Sequence, residues 1–467
     1  MRSCLATVLF YFLLTILNHS TATPHHSTGF HNRTFPIDTI KESSTLPFKS
    51  AESMGINGSY LADKIDSIAL SGIEGKAYPG CVVLVAKEGN IIFNKAYGTY
   101  NYGQNDPMDV HTIFDMASVT KVCATTISIM KLYEEGKLDL TQSLGTYLPW
   151  VRGSDKADLK IEDILLHQAR LIPDVVFYLK TVDQSSKTPL PAFFQRDSSK
   201  EYGVRVAKDL FLKSDYWKTM NQSIVDSKLL QPGKYVYSDN DFIFLGDIVE
   251  AISGLRVDKY AAQNFYEPMG LLSIGFNPVD RFDTNRIAPT ESDNYFRHQH
   301  LRGFVHDEGA AMFGGVAGHA GLFSDAQDIA ALLQMLLDGG MYKGKQYLNP
   351  ETIKLFTAYN SNISARGLGF DKPQKDNFYT SEPFPYPSRF ASPLTFGHTG
   401  YTGTFVWADP EYDVVFVFLS NRVNPVRSTN LYKLHIRGSM MDAIYEAITP
   451  EIPEISRWKN LQQIKQE

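Results

Sequence analysis

The stretch Phe114-Asp115-Met116-Ala117-Ser118-Val119-Thr120-Lys121 sets a serine and a lysine three residues apart at the head of an apolar helical pattern. Residues i and i+3 of a helix share a face, so the Lys121 amine can sit beside the Ser118 hydroxyl. A serine hydroxyl is a weak nucleophile until a neighbouring base takes its proton, and a helix N-terminus favours the negative charge that develops. The pattern predicts a helix from about Ser118 to Glu134, with Ile127, Ile129, Met130 and Leu132 in the core. Alone, Ser-x-x-Lys is a weak signal. Ser456-Arg457-Trp458-Lys459 repeats it in a polar tail, and for a single instance an ordinary helix cap with a solvated lysine is the better explanation.

Two further motifs follow in order. Tyr237-Ser238-Asp239 lies in the run Lys234-Tyr235-Val236-Tyr237-Ser238-Asp239-Asn240, and His398-Thr399-Gly400 stands immediately ahead of a strand hairpin. Taken singly, Tyr237 reads as a half-buried aromatic and His398 as a satisfied core histidine. Taken in sequence, Ser-x-x-Lys, Tyr-x-Asn/Asp and Lys/His-Thr-Gly resemble class C β-lactamases, DD-peptidases and the related serine esterases. The flanks Phe114-Asp115-Met116-Ala117, Leu165-Leu166-His167-Gln168 and Gly318-His319-Ala320-Gly321-Leu322-Phe323-Ser324 are similar to that family as well. The resemblance covers roughly residues 55 to 447.

The resemblance implies roles at matching positions. Ser118 is then the nucleophile, and Lys121 and Tyr237 share the general-base work, with either one as the working base. The backbone N–H groups of Ser118 and Tyr401 form an oxyanion hole. Asp239, His398, Thr399 and Gly400 line the substrate side. Two departures bear on substrate. Penicillin-recognising members usually carry Lys-Thr-Gly, whose permanent charge meets a substrate carboxylate, whereas a histidine with an unperturbed pKa of ~6.5 is mostly neutral at pH 7. They also usually place Asn where Asp239 stands. An ionised Asp239 donates no hydrogen bond; it holds Lys121 charged and moves the base role towards Tyr237. Both departures weaken recognition of a β-lactam or a peptide carboxylate, and both are compatible with an ester, which tilts the reading away from antibiotic hydrolysis.

Outward from these motifs, strands lie at both ends of the chain and helices between them. A helix is expected around Leu61 to Leu70, then a hairpin from Cys81 to Ala86 and Ile91 to Tyr97 about Glu88-Gly89-Asn90. Residues up to about 300 read as mainly helix and loop, including Ile161 to Leu166, a charged stretch near Lys200 to Trp217, and Phe242 to Ile252 ended by Gly254. Ser324 and Gln327 form a capping box for a helix that runs to Leu337 and stops at Gly339-Gly340. Thr404 to Ala408 and Val414 to Leu419 flank a turn at Asp409-Pro410, and a helix near Leu434 to Ile448 closes the domain. The fold class is α/β: one lobe of about 53–120 and 300–447, with a helical lobe of about 121–299 inserted. The resemblance makes this the two-lobed β-lactamase-like fold, an antiparallel sheet flanked by the terminal helices. Between Leu171 and Leu230, Phe177, Tyr178, Phe193, Phe194, Tyr202, Tyr216 and Trp217 either roof the active site for a bulky apolar group or form a surface elaboration with its own core. His306-Asp307 and His319 are placed near the cleft floor without a chemical role.

Residues 1–22 read as a signal peptide, with Arg2, the apolar run Leu5 to Leu17 and small residues at Ser20-Thr21-Ala22. An uncleaved anchor is the alternative, although that run is short for a bilayer span. Residues 23–52 read as a flexible leader and 448–467 as a polar tail. The expectation is an exported protein, periplasmic or extracellular, with no stable membrane insertion once the signal is removed. Cys81 and Cys123, in apolar patterns, read as unpaired buried thiols. The 12 histidines show no zinc spacing, so no metal and no cofactor is expected. A net charge of −6 gives no basic footprint for nucleic acid. There is no Gly-x-Ser-x-Gly elbow and no His-Glu-x-x-His, and Gly339 to Lys345 lacks the Ser/Thr that a phosphate loop needs. Asn-x-Ser/Thr triplets at Asn18, Asn32, Asn57, Asn221 and Asn362 are consistent with exposed loops. The expected partner is therefore a small-molecule ester, amide or acyl donor. The activity expected is hydrolysis or acyl transfer to an alcohol, with a DD-peptidase or β-lactamase, and a non-catalytic binding protein on the same fold, as the alternatives.

Overall fold

A computed structural model describes residues 46–377 and 384–449. The signal-peptide segment and most of the leader and tail lie outside the described residues, as do Cys4, Asn18 and Asn32. The central sheet has five strands: β1 (Gly80–Lys87), β2 (Asn90–Gly98), β3 (Phe396–Thr399), β4 (Phe405–Asp409) and β5 (Val414–Ser420). Their order is β3-β4-β5-β1-β2, every pair antiparallel, with Cys81 opposite Ser420 and His398 opposite Val406. N-terminal and C-terminal segments thus build one sheet, as the ends of the sequence predict.

Period-2 alternation explains why this sheet is covered on both faces. Val82, Leu84, Ala86, Val415, Val417 and Leu419 point into one core, shared with the helix Ala326–Leu337. Cys81, Val83, Val85, Phe416 and Phe418 point into a second core, closed by helices Gly58–Glu74 and Ile436–Ile448. Each fully buried Val, Leu or Phe contributes ~1.5–3 kcal/mol, so both layers are well supported. Cys81 and Cys123 are free and buried, as expected. Among the described residues no helix is long and apolar enough to cross a membrane.

Several expectations need correction. Residues 46–51, assigned to the leader, already lie on the sheet: Ile91 donates to the Pro47 carbonyl and Lys49 to the Ile91 carbonyl, at 2.7 and 3.0 Å. Ala51 is buried there. The stretch expected as helix and loop near 200–217 holds strands Val204–Ala207 and Leu210–Leu212, which join Phe194–Gln195 in a small antiparallel sheet. The helix before Gly339 is capped by Asp325, whose side chain accepts from Asp328 N, not by Ser324, which ends a strand. A carboxylate outcompetes the hydroxyl because it sits one residue nearer the first turn and carries charge that suits the helix dipole. Asn221 is buried within helix Trp217–Val225 rather than in an exposed loop, while Asn57 and Asn362 are exposed.

Candidate active site

The predicted Ser118 helix is not uniform. Ala117–Val119 is a 3-10 turn, Lys121–Thr126 a π-helical segment, and Ile127–Glu134 regular α-helix. Such π segments concentrate at functional sites. Ala117 takes φ +46, unusual for a residue with a side chain, and presents Ser118 at the edge of the cleft. Side chains staple the segment down: Thr120 Oγ1 donates to Ala117 O and accepts from Leu322 N, and Thr125 Oγ1 donates to Gly318 O. Gly318 itself packs against the helix that carries Phe242 and Gly246, where a Cβ would collide with the Phe242 carbonyl.

The three sequence motifs meet around Lys121, which is fully buried. Its ammonium donates to Ser118 Oγ at 3.0 Å, Asp239 Oδ1 at 2.6 Å and His319 O at 3.2 Å, so each of its three protons has an acceptor. It also lies 4.9 Å from the centre of the Tyr237 ring. Burial works against the charge, but Asp239 outweighs it and lifts the Lys121 pKa above the ordinary lysine value. Asp239 opens the helix Asp239–Ser253, where the helix dipole favours an acid.

Tyr237 is half-buried, and its hydroxyl interacts with Lys121 and Ser118. Burial pushes its pKa up, while the Lys121 ammonium pulls it down. In the resting site Lys121 is therefore an ammonium and Tyr237 a phenol. Behind Tyr237, with ring centres 4.5 Å apart, stands His167. Its Nδ1 lies 2.8 Å from Asp241 Oδ2, and burial holds its pKa well below the usual value. Sequence reading quoted His167 without a role; only folding brings it behind Tyr237.

His398 on β3 faces the same site, its ring 6.1 Å from Tyr237. Nδ1 lies 2.7 Å from the Thr399 carbonyl and donates to it, so Nε2 is a buried acceptor with no partner. Burial pushes the His398 pKa down to about 4, against the opposing pull of Asp371 and with the help of Arg366 and Lys121. This histidine is neutral at pH 7. Gly400 packs against Met116 and Ala117 so closely that a Cβ would collide with Thr404 Oγ1 and the Met116 carbonyl. Thr402 Oγ1 donates to Asp115 O and Thr404 Oγ1 to Met116 O, at 2.7 and 3.0 Å. The turn that follows the third motif is thereby fastened to the strand Phe114–Asp115 and to Met116, just ahead of Ser118. The amides of Ser118 and Tyr401 have no acceptor among the described residues.

A cleft of about 170 Å³ opens beside these groups, lined by Tyr237, Asp239 and the segment Pro173–Tyr178. Asp307 and His319 line it too, paired with each other at 2.8 Å. Phe177 and Tyr178 are the aromatics of the 171–230 stretch that reach this cleft. Phe193 packs on Tyr216 and Phe194 on Phe296, and Phe194, Tyr216 and Phe296 belong to the main core, so these aromatics neither line this cleft nor form a core of their own.

The family model described as Beta-lactamase matches residues 65–437. A Salmonella enteritidis PT4 protein named "Putative D-alanyl-D-alanine carboxypeptidase" is 31% identical over 452 residues, covering 90% of this chain and 94% of its own. An Escherichia coli K12 protein of the same name is 31% identical over 79% of this chain and 87% of its own. Among solved structures, EstCE1, described as a hydrolase with promiscuous acyltransferase activity, aligns with a TM-score of 0.59 at 20% identity, over 82% of this chain and 99% of its own. A class C β-lactamase from Rhodobacter sphaeroides aligns with a TM-score of 0.56 at 16% identity, over 81% and 98%. At these identities the structural likeness bears on the fold alone.

Proposed function

This chain belongs to the β-lactamase family, whose members act on ester or amide substrates, and as a serine hydrolase of that family we propose that it cleaves esters through an acyl-enzyme on Ser118. The observation that carries the ester reading is His398: the position facing the site on β3 holds a buried, neutral imidazole where a permanent cation would meet a substrate carboxylate. Asp239 adds to it, because a carboxylate paired with Lys121 offers no N–H to a substrate amide.

In the proposed reaction Tyr237 first gives up its phenol proton to solvent; Ser118 Oγ then attacks the acyl carbon as its own proton passes to that phenolate, beside a Lys121 ammonium that Asp239 keeps charged. The carbonyl oxygen becomes an oxyanion held by the amides of Ser118 and Tyr401. Collapse expels the alcohol, which takes the proton back from Tyr237. Water, or a second alcohol in acyl transfer, then gives its proton to Tyr237 as it attacks the acyl-enzyme, and Tyr237 passes that proton to Ser118 Oγ as the acyl group leaves, which regenerates Ser118. Thr399 and Gly400 form the substrate-side edge.

Turnover of short-chain p-nitrophenyl esters by the purified protein, compared with Ser118→Ala, tests the reading. Equal rates in the two would sink it. A second reading, DD-carboxypeptidase, is favoured by the names of the relatives at 31% identity. Release of D-alanine from an acyl-D-alanyl-D-alanine peptide faster than any ester is cleaved would select it. The proposed compartment is extracytoplasmic; N-terminal sequencing of protein secreted by its own host, starting near residue 23, checks this.

A further inference from the structure

Asp115 lies one strand position before the nucleophile turn and is buried. Its two carboxylate oxygens are both spent on backbone amides. Oδ1 accepts from Ala117 N at 2.9 Å, and Oδ2 accepts from His306 N at 2.6 Å. Its own carbonyl accepts from Thr402 Oγ1 at 2.7 Å. One residue therefore joins three segments distant in sequence: the Ala117 turn, the His306 loop and the Gly400–Thr404 turn.

The consequences converge on two amides. The bond to Ala117 N holds the residue before Ser118 at its φ of +46. The bond to His306 N fixes a ring that packs on the Tyr401 ring, with centroids 5.2 Å apart. The Thr402 bond fixes the residue after Tyr401, whose carbonyl is also held by Arg422 Nε at 2.8 Å. The His306 loop is itself anchored by Arg297, which donates to the Val305 and His306 carbonyls and pairs with Asp293. Carrying a buried carboxylate here is unfavourable: burial pushes Asp115 up to about 7, although both amides and Arg297 oppose this and only Asp307 adds to it. Such a cost is retained at a position where geometry is needed.

We propose that Asp115 is the positioning residue of the oxyanion hole, setting the Ser118 amide through Ala117 and the Tyr401 amide through His306 and Thr402. This rests on the reading of those two amides given under the proposed function. Asp115→Asn keeps the shape but replaces one carboxylate oxygen by an NH2 group that can only donate, so one of the two amides loses its acceptor.

The test compares an ester with its thionoester analogue, in which sulfur replaces the carbonyl oxygen and accepts hydrogen bonds poorly. Wild type should prefer the oxygen ester. In Asp115→Asn, kcat on the oxygen ester should fall by about 10²–10³ with KM little changed, and the preference over the thionoester should narrow by about tenfold. Loss of rate with an unaltered preference would overturn the proposal and leave Asp115 a purely structural residue. If Asp115→Asn does not fold, Thr402→Val, which removes one of the three bonds, should narrow the preference in the same direction; an unaltered preference there would overturn it equally. Wild type that cleaves neither substrate faster than Ser118→Ala would instead overturn the functional reading, and this inference with it.

Discussion

Lys121 and Asp239 form an ion pair of 2.6 Å in which the ammonium is wholly buried. A buried charge is tolerated only when its partners compensate the lost hydration. Here Asp239 does so, and its charge raises the pKa of Tyr237 as well as that of Lys121.

Asp239→Asn removes the negative charge that raises the pKa of both Lys121 and Tyr237. Ester turnover in wild type should rise with pH as Tyr237 loses its proton. In the variant that rise should move to lower pH. A rate profile with pH for both proteins checks the direction; a limb that stays in place would remove Asp239 from this role.

Tyr237→Phe should lower kcat by about 10²–10⁴ without unfolding the protein, as expected on losing a general base. The phenylalanine keeps the contact with His167. Burst kinetics should show acylation, not deacylation alone, slowed.

His398→Lys places a permanent cation on β3. Labelling of Ser118 by a fluorescent penicillin should increase relative to ester turnover by about tenfold, the effect of one new charge-assisted contact. Labelling that does not change would mean that His398 does not face the substrate carboxylate.

The pKa of His398, pushed down to about 4, also makes a stability prediction. An unfolded histidine titrates near ~6.5. Between these values the unfolded state binds the extra proton, so the native state is fully favoured above about pH 6.5 and loses stability as pH falls towards 4, by about 3 kcal/mol for this group. Urea unfolding at pH 7.5 and 4.5 should show a smaller acid loss in His398→Gln than in wild type.

Local chemistry made much of this readable. The hairpin about Glu88-Gly89-Asn90 and the buried Ile127, Ile129, Met130 and Leu132 follow from period alone, and the structure contains them. The family resemblance carried by the ordered motifs singled out Ser118, Lys121, Tyr237, Asp239 and His398, and the fold brings these residues together. The small sheet at 194–212 was not readable: its strands are two to four residues long, and their pairing partners are set by tertiary contact. Asp325 displaced Ser324 at the cap because two adjacent residues could both serve. His167 behind Tyr237, and Asp115 between Ala117 and His306, depend on residues up to 191 positions apart meeting in space. No local pattern encodes such a meeting.

The central claim is that Ser118 carries an acyl group during turnover. Rapid acid quench during hydrolysis of a slowly deacylated ester, followed by mass spectrometry of the peptide containing Ser118, measures this directly. The account predicts that peptide heavier by the acyl group, with the adduct lost in Ser118→Ala together with turnover. Turnover by wild type with no adduct under conditions where deacylation limits the rate, or turnover that survives in Ser118→Ala, would contradict it.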